Sequence, residues 1–172
     1  MLGGTFCVRA GLDLLPAERR GTWAERLDEA EAHPPRHFAN NGWVVHALQA
    51  AWSAITHTTV PESSPAEGGF PAQHLQLALE AAVRAGTVTD TVAAIAGALL
   101  GARWGSSAVP LEWQRAVTGW PGLKGADLIR LSLLTARGGG DDTAGRPSTS
   151  QMPPSHPGFA LPHSHDRGDW AS

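Results

Sequence analysis

The chain has 172 residues, of which 42% are hydrophobic and 17% charged, and its formal net charge is -3. This length and composition suit one domain with a hydrophobic core, and the mixed, weakly acidic charge excludes the basic field that binds nucleic acid or an anionic membrane. One cysteine, Cys7, excludes an internal disulfide framework and a cysteine-based zinc site, and a cytoplasmic protein is expected.

Two helices are predicted in the first third of the chain. Pro16 opens "PAERRGTWAERLDEAEAH", and the apolar face of this helix is Trp23, Leu27 and Ala30. The second helix, "NNGWVVHALQAAWSAI", follows an Asn-Gly start that is typical of helix caps. Its predicted apolar face is Val44, Ala47, Leu48, Ala51 and Ile55. The stretch that follows, "THTTVPESSPAEGGFP", is a loop by its Pro, Ser and Gly content.

Helices are also predicted along the rest of residues 1–137, and no strand is predicted there. The third helix is "AQHLQLALEAAVRAG", with Leu75, Leu79 and Val83 on its apolar face and Gly86 as its stop. A fourth begins at Asp90 and Thr91, and its apolar positions are Val92, Ile95, Ala96, Leu99 and Ala102. Because this helix is rich in Ala and Gly, neighbouring helices can approach it closely, and a central position is expected. "PLEWQRAV" and "GADLIRLSLLTAR" complete an all-α domain over residues 1–137.

Residues 138–172 have the Gly, Pro, Ser and His content of a disordered tail. The most apolar run of the chain, residues 92–102, is too short to span a bilayer. No membrane association is therefore expected.

Asp90 and Thr91 stand where the fourth helix begins, and two interpretations are open for them. Asp and Thr are favoured at helix N-termini, where they satisfy free amides and suit the helix dipole. Alternatively, a carboxylate and a neighbouring hydroxyl supply hard oxygen ligands to an ion such as Mg²⁺, with further carboxylates from elsewhere.

The order of several motifs resembles one known family. "NNGWVVHALQAAWSAI" and then "LALEAAVRAGTVTDTVAAIAGALLGARWGSSAVPLEW" are similar to the C-terminal half of the ADP-ribosylglycohydrolases, of the dinitrogenase reductase-activating glycohydrolase type. The hallmark of that half is Gly-x-Asp-x-Asp-Thr/Ser, running into an Ala/Gly-rich helix. The resemblance covers residues 34 to about 134.

This resemblance implies an all-α helical bundle with a centre of two magnesium or manganese ions. It also implies a hydrolase that removes ADP-ribose from modified protein side chains. Asp90 matches the second acid of the hallmark, and Thr91 matches the hydroxyl residue beside it. The resemblance therefore implies that both are metal ligands. Trp43 matches an aromatic position that follows a glycine, here Gly42, and that lines the ADP-ribose pocket. No catalytic residue is assigned.

Two departures imply an incomplete metal site. Val88 occupies the position of the first acid of the hallmark, and its isopropyl group cannot ligate a hard cation. The Thr-Asp-Asp motif and the catalytic acid of the family's N-terminal half have no counterpart in residues 1–40. The expectation is a truncated and impaired hydrolase, unless a separate chain supplies the missing half.

Two other functions stay open at this point. The first is that of an inactive family remnant that binds a nucleotide or a protein. The second, which does not depend on the resemblance, is that of a small helical interaction module. In the second case, an exposed apolar seam predicts oligomerisation or aggregation.

Overall fold

The computed structural model describes residues 7–138. Six α-helices and a two-stranded hairpin follow one another in this part of the chain. They are α1 (Ala17–Ala32), α2 (Val44–His57), α3 (His74–Arg84), α4 (Thr89–Trp104), α5 (Leu111–Ala116), β1 (Thr118–Gly119), β2 (Leu123–Lys124) and α6 (Gly125–Ala136). The described residues up to Ser132 form one compact unit, and Leu133–Gly138 belong to a second. The predicted all-α bundle is confirmed. The predicted tail lies outside the described residues except for Gly138.

The core is built around α2, which packs against α1, α3 and α4. Alanines at the centre of α2 are fully buried, and this lets the neighbouring helices approach closely: Ala47, Ala50, Ala51 and Ala54. The larger side chains of the core are Leu27, Phe38, Ile55, Leu75, Val92 and Leu100. The described helices include none that is both long and apolar enough to cross a membrane.

Buried polar groups tie α1 to α2. The Gln49 side chain donates to the Arg26 carbonyl at 3.1 Å and to the Glu29 carboxylate at 2.7 Å. Ser53 donates its hydroxyl hydrogen to the carbonyl oxygen of His33. Since buried polar groups are costly unless they are paired, these bonds fix the position of α1 on the core.

His74 joins three elements at the other end of the core. It is 1% exposed, its Nε2 lies 3.1 Å from the Ile55 carbonyl and 3.0 Å from the Thr58 carbonyl, and Trp104 Nε1 donates to its Nδ1 at 3.3 Å. This pattern requires the neutral tautomer with its proton on Nε2. Burial lowers the pKa of His74 below its usual value, and the charge of Arg103 lowers it further.

Several details of the sequence prediction are wrong. Val44 and Val83 are 68% and 51% exposed, and Val45 takes the buried place beside Ala47. Ala102 is exposed too, as are Ala94 and Ala98. The fourth helix is therefore packed on one side by α2 and α3 and open on another, instead of surrounded.

The hairpin also corrects the prediction that the chain has no strand. Thr118 pairs with Lys124 and Gly119 with Leu123 in antiparallel register, around the turn Trp120-Pro121-Gly122. Two residues per strand are too few to show a period-2 pattern in the sequence. In this segment of the sequence only the pair Pro121-Gly122 is typical of a turn.

Candidate functional site

The loop before α4 has an unusual backbone. Gly86 and Thr87 both have positive φ angles, 85° and 66°. Glycine adopts this region freely, whereas a threonine there costs about 1–2 kcal/mol. Surrounding contacts must hold the loop in this conformation, since a strained backbone persists only where its surroundings determine it.

Asn41 provides those contacts. It is 1% exposed, its Nδ2 donates to the Gly86 carbonyl at 3.1 Å, and its Oδ1 accepts from the Val88 amide at 2.9 Å. One amide group thus joins the loop before α2 to the loop before α4, across more than 40 residues of sequence. The sequence analysis missed this role, because an Asn-Gly pair ahead of a helix is typical of a cap. In the structure Trp43 is the N-cap residue of α2 and no side chain caps this helix.

Gly42 lies against the loop that Asn41 holds. A Cβ atom at Gly42 would stand 3.9 Å from Val88 Cγ2, which is ordinary van der Waals contact. The predicted substrate-binding pair, Gly42 and Trp43, is therefore next to the loop that leads into Asp90 and Thr91. We call this junction of residues 41–43 and 86–91 the Asn41 corner.

Asp90 and Thr91 are exposed at the first turn of α4. Asp90 Oδ1 accepts a hydrogen bond from the Thr91 amide at 2.8 Å. A carboxylate that pairs with a free amide in the first helical turn stabilises the helix start and suits its dipole. The geometry of Asp90 is thus that of a helix-start residue.

The metal centre implied by the family resemblance does not fit the residues that the structure describes. Within residues 7–138, no group of three or more His, Cys, Asp or Glu side chains is arranged to hold an ion. Asp90 and Thr91 offer two side-chain oxygens, and Val88 offers none, whereas Mg²⁺ requires octahedral oxygen coordination. Two ions cannot be held by this set.

Trp43 is 48% exposed and lies in a cluster of aromatic and basic side chains. Its ring centroid is 5.2 Å from that of His46, and the Arg26 guanidinium stands 5.7 Å from its centroid. His46 packs edge-on against Phe38, and its Nδ1 is buried without a hydrogen-bond partner among the described residues. The half-exposed indole of Trp43 thus lies at the edge of the Asn41 corner.

Two cavities lie away from the Asn41 corner. One of about 410 Å³ is lined mainly by apolar side chains of α3, α4 and α5, among them Leu79, Val83 and Trp113. Another of about 490 Å³ lies between Phe70 and the segment 107–114. Neither is lined by Trp43 or Asp90, and both of these residues are exposed.

With this geometry established, comparison with known proteins identifies the family. The sequence pattern that defines the ADP-ribosylglycohydrolases matches residues 5–142. The chain belongs to the ADP-ribosylglycohydrolase family. No curated protein and no solved structure matches it.

Membership confirms the resemblance drawn from the motifs, and the match is wider than the 34–134 stretch that carried it. ADP-ribosylglycohydrolases are generally metal-dependent glycohydrolases, and they act on ADP-ribosylated substrates. The Asn41 corner holds the residues of this chain that match the family's hallmark, and it is therefore the candidate site.

Proposed function

We propose that this ADP-ribosylglycohydrolase-family chain binds an ADP-ribosyl group, free or attached to a protein side chain, at the Asn41 corner. The observation that carries the proposal is the pair of Asn41 hydrogen bonds, to the Gly86 carbonyl and from the Val88 amide. They bring the loop that contains Gly42 next to Val88, two residues before Asp90, and this supports one site that includes Gly42, Trp43, Asp90 and Thr91.

Trp43 is the proposed contact for the adenine ring. A half-exposed indole offers a face on which a base stacks, and such stacking is worth about 1–3 kcal/mol. Gly42 adds no side chain and leaves room for the ligand to approach the backbone.

Asp90 and Thr91 remain our proposed metal ligands, with magnesium or manganese as the ion. Their two oxygens require further carboxylates from outside the described residues, and we propose a separate chain as the source. Without those groups we expect no release of ADP-ribose, and the chain then acts as a nucleotide-binding module. A cytoplasmic location remains a prediction.

Binding is tested by isothermal titration calorimetry with ADP-ribose. We expect the Trp43→Ala variant to bind roughly 5- to 150-fold more weakly, because the stacking energy is lost. Trp120→Ala is the matched control, since Trp120 is 85% exposed at the tip of the hairpin, away from the Asn41 corner. Equal affinity of the wild type and both variants would refute the site, and no binding by the wild type would refute the function.

Cleavage is tested separately, with peptides ADP-ribosylated on arginine and on serine in the presence of Mg²⁺ or Mn²⁺. The expected result is no turnover above that of an Asp90→Ala control. Turnover by the wild type that Asp90→Ala abolishes would show that this chain alone holds a complete metal site, contrary to the proposal.

A protein-binding role is the second candidate, and a set of exposed apolar side chains favours it. Between residues 111 and 131, five large apolar residues are 41–85% exposed: Leu111, Val117, Trp120, Leu128 and Leu131. A contiguous patch of exposed apolar side chains is typical of contact surfaces, and we propose that these five form one. Sedimentation velocity of the wild type and of a Trp120→Ser, Leu131→Ser variant tests this role, and identical monomeric behaviour of both would argue against self-association.

A further inference from the structure

Arg26 occupies an unusual position at the edge of the Asn41 corner. It is partly buried on α1, and its guanidinium carbon stands 4.9 Å from the ring centroid of Trp23 and 5.7 Å from that of Trp43. Both distances lie within the range of cation–π attraction. Arg26 therefore bridges an indole of α1 and the proposed adenine-binding indole before α2.

The guanidinium of Arg26 has no charged partner among the described residues. No carboxylate oxygen of residues 7–138 lies within 4.0 Å of it, and it donates no hydrogen bond to them. The nearby carboxylate of Glu29 accepts from Gln49 at 2.7 Å and lies 3.8 Å from His37. By contrast, Arg20 on the same helix donates to two backbone carbonyls. The N–H groups of Arg26 are thus available to a ligand.

A guanidinium that lies within cation–π distance of two indoles and has no described carboxylate partner is well suited to bind a phosphate group. Cation–π contact engages the π-systems of the indoles and does not require a hydrogen bond, so the N–H donors of Arg26 remain for a ligand. Two of these donors match two oxygens of a phosphate in a bidentate arrangement, and such charge-assisted bonds are about twice as strong as neutral ones.

We propose that Arg26 binds a phosphate group of the nucleotide whose base stacks on Trp43. This inference rests on the proposed function, because it takes the ligand to be the diphosphate of ADP-ribose. Arg26 contacts Trp43, so a base on the indole and a phosphate on the guanidinium would occupy neighbouring subsites. The role is ligand binding, and it predicts that affinity depends on the number of phosphates.

The experiment compares adenosine, AMP, ADP, ADP-ribose and inorganic pyrophosphate by calorimetry at fixed ionic strength. For the wild type we expect ADP to bind at least tenfold more tightly than adenosine, from charge-assisted hydrogen bonds to phosphate. In Arg26→Met that difference should disappear while the affinity for adenosine is retained. Arg26→Lys should recover part of it, because lysine keeps the charge but loses the bidentate geometry.

Arg19→Met is the matched control. Arg19 is exposed on α1, and its substitution changes the net charge by the same amount without altering the contacts of Arg26. A drop in phosphate affinity in both methionine variants would overturn the proposal in favour of a general charge effect. An equal loss of adenosine and ADP affinity in Arg26→Met would also overturn it, because Arg26 would then only position Trp43.

Pyrophosphate separates the failure of this inference from that of the proposed function. Binding of pyrophosphate that Arg26→Met abolishes, together with no binding of adenosine or ADP-ribose, would keep the phosphate subsite and refute the ADP-ribose function. Binding of ADP-ribose with the same affinity in the wild type and in Arg26→Met would refute the subsite and keep the function. No binding of pyrophosphate and no difference between ADP and adenosine would also refute the subsite.

Discussion

The Asn41→Leu substitution is the most direct test of how the two loops are joined. Leucine has the same number and branching of side-chain heavy atoms as asparagine but neither donates nor accepts a hydrogen bond. In the variant, the Gly86 carbonyl and the Val88 amide lose the partners that now lie 3.1 Å and 2.9 Å away. The position is 1% exposed, so water cannot simply replace the lost amide.

The expected loss of stability follows from these two groups. Leaving a buried donor or acceptor unsatisfied costs about 1–3 kcal/mol, which gives about 2–6 kcal/mol for the pair. Burial of the apolar leucine offsets part of this, because it contributes about 1.5–3 kcal/mol relative to an exposed side chain. We therefore expect a net destabilisation of about 0.5–3 kcal/mol. The positive φ angles of Gly86 and Thr87 also lose their support, so the loop should relax.

Urea denaturation followed by circular dichroism measures this effect. With an m-value of about 2 kcal/mol/M, the midpoint should fall by about 0.3–1.5 M. Asn40→Leu is the matched control: Asn40 is exposed, and its backbone carbonyl, which accepts from the Trp43 amide, is unchanged by the substitution. If the two variants were equally stable, Asn41 would not hold the loops together. Weakened ADP-ribose binding by Asn41→Leu alone would link the hydrogen bonds to the proposed function.

Two further predictions concern the core. Burial lowers the pKa of His74 below 6.5, so the folded state binds a proton at His74 less tightly than the unfolded state does. The free energy of unfolding therefore has its full contribution from neutral His74 above about pH 6.5. Below that pH the contribution falls, by up to about 1.4 kcal/mol per pH unit. Urea midpoints at pH 8 and pH 5.5 should differ less in His74→Phe than in the wild type, and an equal difference would contradict this assignment. Gly101→Ala should raise the free energy of unfolding by about 0.5–1 kcal/mol, because no atom lies within 4 Å of the new methyl group inside α4. Gly105→Ala, at a φ of 79°, should lower it, and a decrease in both variants would show that the space at Gly101 is occupied.

The helices could be predicted from the sequence because their ends carry strong local signals. Pro16 precedes α1, Gly86 follows α3, and apolar side chains recur at helical spacing between such positions. The face that each helix buries was less predictable. Val44 and Val45 are both apolar, and only the packing of α2 against its neighbours decides which of them enters the core.

The residues of the site could be predicted only through the family pattern. Physical reasoning on Asp90 and Thr91 favoured a helix start and left a metal corner open, and the bond from the Thr91 amide to Asp90 fits the helix start. Asn41 and Arg26 could not be found from the sequence. Asn41 forms its hydrogen bonds with residues more than 40 positions away in sequence. Arg26 is distinguished only by the two indoles beside it and by the absence of a carboxylate partner among the described residues, and both features depend on the fold.

Val88 gives the Asn41 corner a physical character that differs from a metal centre. Its backbone amide is held by Asn41, and its side chain is partly buried next to Gly42. A carboxylate at this position would be partly removed from water and would need a cation to offset the cost. Valine needs no such cation and adds an apolar contact. The contacts around Val88 therefore stabilise the loop without an ion, and this supports the proposal that a nucleotide binds at the Asn41 corner through the indole of Trp43 and the guanidinium of Arg26.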